Sequence, residues 1–587
     1  MDEQLVEPII GCETWGDLLS KRAELHGSRI AFSYRESGSD ATKQISYREL
    51  FTNARQIASH LSHIVVTGDR ILIFHNSGLG FIQALWGCIF AGAVAVPAFP
   101  PRSGRRSMER LNKIANDVGA NFALLDSATL TRIKPTLESN PTLNHIQMIA
   151  TDDLLSSTTV EPRNVPKLDG DSLAIVQYTS GSTSNPRGVM LKHRALLHNA
   201  HMIGCAFDAK EDSVNVGWLP LYHDMGLVGN VMAPLFHGLE SVLIPPESFL
   251  LKPERWLQTI SNYGARTSGG PNFAYELCIN RIPDEAKVTL DLSSWEVAFC
   301  GAEPVRPDTL RRFTNAFSEC GFRKNAFYPC YGLAEATLLV SGGEVDKKPI
   351  EKHFSSSSMK KNKVVPTTNR EDARSLVGCG RAWNNQKIII VDPDSGELSK
   401  SDLIGEICVQ GSSVAAGYWN NAQSSSDTFG YIPKGSQEGQ FLRTGDLGFV
   451  HEGELYIVGR SKALICISGD NFFSEDIEYT VEKSNPAVYP LGVSVFGVEE
   501  NNKERVVVIT ELNRTFVKSQ TDDDRSLDQR LKDLDCEIRV KVAEQHGLAL
   551  KEIVFVRQMS IQKTTSGKVR RDSTRSSYLN NTLKTIV

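Results

Sequence analysis

The stretch from residue 173 to residue 205 restricts the fold more than any other part of the chain. Its opening apolar run, Leu173-Ala174-Ile175-Val176, predicts a buried strand, and residues 194–205 predict a helix. Between them stands Tyr178-Thr179-Ser180-Gly181-Ser182-Thr183-Ser184-Asn185-Pro186-Arg187-Gly188. Glycine adds no Cβ and tolerates unusual φ/ψ, so a loop of this kind lets backbone N–H groups approach phosphate oxygens. Hydroxyls at Thr179, Ser180, Ser182 and Thr183 add short donors, and Arg187 adds a planar cation. No Gly-Lys-Ser/Thr closes the loop, so it is not a Walker motif. Taken alone it reads either as a polar surface loop or as a cradle for a nucleoside triphosphate.

Upstream, Ser46-Tyr47-Arg48-Glu49 is a capping box that opens a helix to about residue 62. A strand at 70–74, a helix at 80–90 and a strand at 93–96 follow. Such alternation predicts βαβ units and a mostly parallel sheet. Pro97, Pro100 and Pro101, with the basic residues up to Arg106 behind them, read as a stiff, solvated connection.

At 587 residues the chain exceeds a single core and is expected to form two or more domains. With 64 basic against 69 acidic residues the net charge is −5, which offers no broad footprint for nucleic acid. Eleven cysteines occur without a C-x-x-C pair, which points to reduced thiols and a cytoplasmic setting. Met1-Asp2-Glu3-Gln4 lacks the features of a signal peptide. The longest apolar run, residues 81–96, is broken by Gly87 and Gly92, so no membrane span is expected.

Further loops carry chemistry. His223 and Asp224 lie within Trp218-Leu219-Pro220-Leu221-Tyr222-His223-Asp224-Met225-Gly226-Leu227, and both need partners if buried. No G-x-S-x-G elbow supplies a nucleophile, which disfavours a serine hydrolase. Ser268-Gly269-Gly270-Pro271-Asn272-Phe273-Ala274-Tyr275 reads as a second close-approach loop. Gly301-Ala302-Glu303-Pro304 follows the apolar Val297-Ala298-Phe299, where a strand ends. Tyr331-Gly332-Leu333-Ala334-Glu335 offers an aromatic face and a carboxylate, and Arg443-Thr444-Gly445-Asp446-Leu447-Gly448 offers an aspartate in a tight turn. A base wants an aromatic, Mg²⁺ a carboxylate, and ribose hydroxyls an acceptor.

With Gly405-Glu406-Ile407, Gly459-Arg460 and Thr564-Thr565-Ser566-Gly567-Lys568 in the same order, the chain resembles the adenylate-forming enzymes. That superfamily includes acyl-CoA synthetases, nonribosomal adenylation domains and luciferases. Within it the chain looks most like the fatty acyl-AMP ligases, on His223 to Leu227, Ser268 to Tyr275, Gly301 to Val305 and Phe327 to Leu339. An extra segment near 342–375 adds to the likeness. By composition, with Ser355 to Ser358 and Lys360, Lys361 and Lys363, it is a solvated loop; in the family it packs between domains and hinders use of CoA.

The resemblance implies an α/β fold with a large N-terminal adenylation domain, 1–458, of mostly parallel sheets with flanking helices. A hinge at Lys462 joins it to a small mobile α+β domain, 459–587. It implies ATP and Mg²⁺, a fatty acid, and an acyl carrier protein of a polyketide, nonribosomal peptide or lipid pathway, with the chain a monomer. Thr179, Ser180, Gly181, Ser182, Thr183, Arg187 and Gly188 would handle the phosphates. Tyr331 would stack on adenine beside Gly301, Ala302, Glu303, Gly332, Leu333 and Ala334. Glu335 and Thr183 would hold Mg²⁺, and Asp446 would accept from ribose with Arg460 nearby. Lys568 would bridge the fatty carboxylate and the α-phosphate. His223, Asp224, Met225, Gly226, Gly269, Gly270, Pro271, Asn272 and Phe273 would lie along the acyl path.

Four positions depart from the family pattern: Ser184 stands for a glycine, Arg187 for a lysine, Ala463 for an acidic residue and Ser474 for a proline. The small domain is expected to carry strands at 493–498, 506–512 and 553–556 and one helix at 526–544, with Leu527, Leu531, Leu534, Ile538 and Val542 as core. Arg570, Arg571 and Arg575 read as a solvated tail or a patch for an acidic carrier protein. Two rival readings are an acyl-CoA synthetase and a non-catalytic acyl or nucleotide sensor. Retention of Glu335 and Lys568 argues against the sensor.

Overall fold

The computed structural model describes residues 11–36, 41–101, 105–158, 160–163, 166–179, 186–500, 503–518, 526–564 and 568–586. The helix Leu79–Phe90 is buried on nearly every side and runs into the strand Val94–Pro97, as the long apolar run suggests. It packs on the capping-box helix Tyr47–Leu61 at Gly87, where a Cβ would meet Ile57 Cγ2 at 2.4 Å. Only glycine permits that approach.

Two large sheets follow from the alternation. The first orders Gln147–Ala150, Phe122–Leu125, Arg70–Ile73, Val94–Pro97, Leu173–Thr179 and Arg187–Lys192, all parallel except the last pair. The second has nine strands, with a parallel centre running from Phe327–Gly332 through Val297–Cys300, Thr267–Gly270, Val214–Gly217 and Glu240–Leu243 to Ile30–Arg35. One hydrophobic cluster joins both sheets: Ile71 and Ile73 of the first, Val216 and Val242 of the second, and Leu85 and Leu196 from helices between them. Among the described residues no helix is long and apolar enough to cross a membrane.

A four-stranded antiparallel sheet, Lys387–Val391, Gly405–Gln410, Leu442–His451 and Glu454–Arg460, closes the large N-terminal part. The smaller C-terminal part has a three-stranded sheet, Val488–Glu500, Lys503–Leu512 and Leu550–Arg557. Helices Ser474–Ser484 and Leu527–His546 cover it, and Leu531, Leu534, Ile538 and Val542 lie in its core.

Three readings of local composition are corrected. Residues 97–101 are buried, not solvated, because they follow the strand inward under the helix Arg105–Val118. The serine- and lysine-rich segment is not a bare loop. It forms a hairpin, Glu351–Ser355 against Ala373–Val377, that buries Phe354 edge-on to Phe449 at 4.9 Å and Tyr456 at 5.3 Å. A few apolar residues, Phe354, Met359, Val364 and Leu376, are enough to anchor a polar segment. Arg571 is neither tail nor patch: it pairs with Glu475 at 2.9 Å and Glu478 at 2.6 Å, while Arg575 donates to the Gly497 carbonyl.

The hairpin also ties the two parts together. Asp476 of the C-terminal part receives Arg306 Nη1 at 2.9 Å from the large part and Arg374 Nη2 at 2.6 Å from the hairpin. Arg374 further donates to the Val458 carbonyl and lies 4.8 Å from the Phe473 ring centre, and Lys360 Nζ caps the His546 carbonyl at 2.8 Å. Burial opposes the Asp476 charge, but Arg374 and Arg306 hold its carboxyl below the usual range. A depressed folded pKa stabilises above the unfolded value, about pH 4, and that stability is lost as pH falls through the folded value. Asp476→Ala, which strands two guanidiniums, should cost roughly 3 kcal/mol at pH 7. Paired thermal melts should show the gap closing as the pH falls below about 4.

Candidate active site

A cavity of about 1010 Å³ opens where the parallel strands end and the C-terminal part folds over them. In open α/β sheets ligands collect beyond the C-terminal strand ends. Thr179 and Gly332 end two such strands, and Ala302 and Phe273 follow two others. Of the residues singled out from sequence, Thr179, Arg187, His223, Asp224, Met225, Asn272, Phe273, Ala302, Glu303, Tyr331, Gly332, Leu333, Ala334, Glu335, Asp446, Arg460, Lys462 and Lys568 line it. Gly188, Gly226, Gly269, Gly270, Pro271 and Gly301 lie behind the lining. Ser180, Gly181, Ser182 and Thr183 fall outside the described residues.

The expected loop at 268–275 is a strand, Thr267–Gly270, followed by the helix Asn272–Arg281. Ser268 Oγ accepts from Trp256 Nε1 and donates to the Val216 carbonyl, and a Cβ on Gly269 would meet the Phe299 carbonyl at 2.1 Å. These small residues serve sheet packing. The cavity is reached only at Asn272 and Phe273.

Asp446 is buried with both oxygens engaged: Tyr331 Oη donates to Oδ2 at 2.7 Å and Arg460 Nε to Oδ1 at 2.7 Å. Asp446 raises the Arg460 pKa, and burial raises that of the Tyr331 phenol. The turn before it is set by Glu406, which accepts from Arg443 Nε at 2.9 Å and from the Gly445 N–H at 3.1 Å. The Gly-Glu-Ile marker thus positions the Asp446 turn from the neighbouring strand.

Glu335 accepts from Tyr418 Oη at 2.9 Å, and Arg187 lies 5.1 Å from the centre of that ring. Tyr418 was not picked out from the sequence. Its signal is Gly417-Tyr418-Trp419-Asn420, an aromatic pair between turn residues. Burial raises the Glu335 pKa against the Tyr418 bond, and burial likewise raises Glu303, whose Oε1 accepts from the Phe273 N–H at 2.6 Å. Ala302 sits at φ +66°, a strained value for a residue with a Cβ.

His223 Nδ1 meets Asp224 Oδ1 at 2.5 Å, and Asp224 also accepts from the Met225 N–H at 2.7 Å. Burial opposes the Asp224 charge, but the imidazole and these hydrogen bonds hold its pKa below the ordinary value. It stands at the start of the π-helix Met225–Met232, a conformation often found at functional sites. Beyond it the lining turns apolar, through Gly229, Phe273, Leu338, Ile203 and Phe207, with Phe207 stacked on Phe299 at 5.8 Å.

Lys568 enters from the C-terminal part. Burial and Arg460 lower its pKa, while Glu303, Asp224 and Asp446 raise it. Lys462 lies in the short turn Ser461–Ala463, and Ser474 Oγ donates to the Ala463 carbonyl at 2.7 Å. The two departures in the hinge region are therefore partners.

This architecture is that of an adenylate-forming enzyme. A family model described as AMP-binding enzyme matches residues 19–419, and one described as Disco-interacting protein 2-like, AMP domain, matches 462–587. The chain is 39% identical over 573 residues to medium-chain-fatty-acid–[acyl-carrier-protein] ligase JamA of Moorena producens (strain JHB), covering 97% of this chain and 95% of the relative. It is 34% identical over 608 residues to medium-chain-fatty-acid–[acyl-carrier-protein] ligase TtuA of Teredinibacter turnerae (strain ATCC 39867 / T7901), covering 96% and 93%. The solved fatty acyl-adenylate ligase of L. pneumophila, in complex with acyl adenylate and pyrophosphate, superposes with a TM-score of 0.74 at 34% identity over 97% of each chain. The chain belongs to the AMP-binding enzymes and, within them, to the fatty acyl-AMP ligases. It is an adenylate-forming ligase that uses ATP.

The ionised Glu335 carboxylate carries a burial penalty above about pH 4, so its raised folded pKa lowers stability as the pH rises through that range. Glu335→Gln keeps an acceptor for Tyr418 and removes the charge. Scanning calorimetry without ATP should find it melting above the parent at pH 7, with the difference gone at pH 4.

Proposed function

We propose that the chain condenses a fatty acid with ATP to fatty acyl-adenylate and pyrophosphate, and passes the acyl group to the phosphopantetheine thiol of an acyl carrier protein rather than to CoA. The observation that carries this reading is one cavity shared by Glu335, Asp446 and Lys568 and continued by an apolar arm. An anionic nucleotide and an alkyl chain would meet at Lys568. The names of JamA and TtuA favour medium-chain acids and a carrier protein.

A carboxylate oxygen attacks the α-phosphorus in line; a C(O)O–P bond forms and the bond to pyrophosphate breaks with its electron pair. The reacting groups are all anionic, so the protein's task is positioning and charge neutralisation. Lys568 faces the carboxylate and α-phosphate, Asp446 accepts from ribose while Arg460 and Tyr331 hold it, and Tyr331 presents its ring to adenine. Arg187 and the loop from Thr179 to Thr183 receive the phosphates. Glu335, with Thr183, would hold Mg²⁺: it is one carboxylate beside the phosphate subsite, and its burial against a single tyrosine hydroxyl suits a hard cation that keeps phosphate ligands. The ion, when bound, supplies charge neutralisation on the phosphates. His223 and Phe273 guide the carboxylate end of the acyl chain.

The hinge at Lys462 fits the turn between strands Glu454–Arg460 and Leu464–Ile467, whereas a division at 458/459 would cut the first of these strands. Eleven free thiols suit the cytoplasm. The ties from Lys360 and Arg374 to the C-terminal part support selectivity against CoA, because a carrier protein brings contacts of its own to offset breaking them and free CoA does not.

The decisive measurement is product analysis with ATP, Mg²⁺ and dodecanoic acid. Acyl-adenylate should accumulate with CoA present and be consumed by a holo carrier protein; acyl-CoA as the main product would overturn the reading. Lys568→Ala should lower adenylate formation by about 10²–10³-fold. The double variant Lys360→Ala and Arg374→Ala should form acyl-CoA at a rate the parent lacks.

A further inference from the structure

We propose that Arg110 of the large part and Arg570 of the C-terminal part form a cross-domain clamp for the β- and γ-phosphates of ATP and for the pyrophosphate they become. This rests on the adenylation reading above. Both side chains line the same cavity as Lys568 and Arg187. Among the described residues neither has an ion-pair partner, and Arg570 Nε is buried without a hydrogen bond. Buried guanidiniums are ordinarily paired, and their planar fork matches phosphate oxygens. Two such groups brought together from opposite sides of a nucleotide-sized cavity call for a polyanion between them.

Their position selects the leaving group rather than the α-phosphate. Strands Val94–Pro97 and Leu173–Thr179 are parallel neighbours, so Phe99 and Thr179 lie at the same sheet edge. Arg110 lies 5.9 Å from the Phe99 ring centre, Tyr222 packs on Phe99 at 6.2 Å, and Gln177 Nε2 holds the Tyr222 carbonyl at 2.6 Å. On the other side, the Lys563–Val569 bridge and the bond from the Arg570 N–H to the Gln562 carbonyl keep the segment around Val569 extended. Residues two apart on an extended chain project to one side, about 7 Å apart. Lys568 at the α-phosphate therefore places Arg570 one step further along the phosphate chain. Burial, and then Arg570, lower the Arg110 pKa, as expected of like charges awaiting an anion.

The test uses Arg110→Ala, Arg570→Ala and the double variant in the full-length protein, with ATP–pyrophosphate exchange and pyrophosphate inhibition of adenylate formation. Each single variant should weaken pyrophosphate binding roughly 10-fold, as loss of one charge-assisted contact does. KM for ATP should rise with it, KM for dodecanoic acid should hold, and Arg570→Lys should recover part of the loss. In melts without ATP the single variants should be no less stable than the parent, because each removes half of a repelling pair; a merely structural role would lower Tm. Unchanged pyrophosphate affinity in a parent that makes acyl-adenylate would overturn the clamp and leave the adenylation reading standing. Loss confined to transfer from preformed acyl-adenylate to the carrier thiol would overturn it too, by assigning the pair to the phosphopantetheine phosphate. A parent that makes no acyl-adenylate would remove the reading on which both rest.

Discussion

One half-buried carboxylate decides where Lys568 can be. Asp476 is gripped by Arg306 from the large part and Arg374 from the inserted hairpin, and it belongs to the helix Ser474–Ser484 on which the C-terminal sheet packs. Arg571, three residues past Lys568, is fastened to the same helix through Glu475 and Glu478. A continuous set of charged contacts therefore runs from the large part, through one helix, to the segment that carries Lys568 into the cavity. Pairs of this kind contribute little net stability when compared with apolar packing, but they are strict about geometry, because a displaced partner leaves a buried charge bare. That strictness fixes where the C-terminal part sets Lys568 in the cavity.

The site is built in the same manner, with groups that hold other groups. Glu406 sets the turn that presents Asp446, Asp446 fixes Arg460 and the Tyr331 hydroxyl, and Tyr418 connects Glu335 to Arg187. Each contact constrains a residue that lines the cavity, and several leave charges where burial penalises them. Stability is given up at Glu335 and Glu303 for a site already polarised before substrate arrives.

Sequence patterns carried the layout of the sheets and many of the polar residues that line the cavity, because both depend on short-range signals: apolar runs bounded by glycine, and small polar loops at strand ends. They missed what depends on long separation. Nothing near Arg306 or Arg374 marks Asp476, 170 and 102 positions away, as their partner. Composition misread the segment around Phe354, since its serines and lysines outnumber the few apolar residues that anchor it. The run Arg570-Arg571 divided two ways: both line the cavity, but Arg571 is paired with Glu475 and Glu478 and Arg570 is not, a split that residue type alone does not encode.

Charge across the cavity also bears on when the enzyme closes. The C-terminal part brings Lys568 and Arg570 toward Arg460 and Arg110, and among these four cations the described carboxylates Asp224, Glu303 and Asp446 all sit on the Lys568 side. Without a polyanion, this arrangement sets guanidinium against guanidinium on the other side, and the Asp476 contacts must offset that repulsion. With ATP between them the same charges become attractive, so ATP has a larger affinity for the closed arrangement than for any in which the C-terminal part has swung away. A ligand shifts a conformational equilibrium only by such a difference in affinity. Release of pyrophosphate then removes the anion that held Arg110 and Arg570 together while leaving acyl-adenylate with Lys568. In the two-step reaction proposed above, the chemistry of the first step would itself loosen the part that the second step must move.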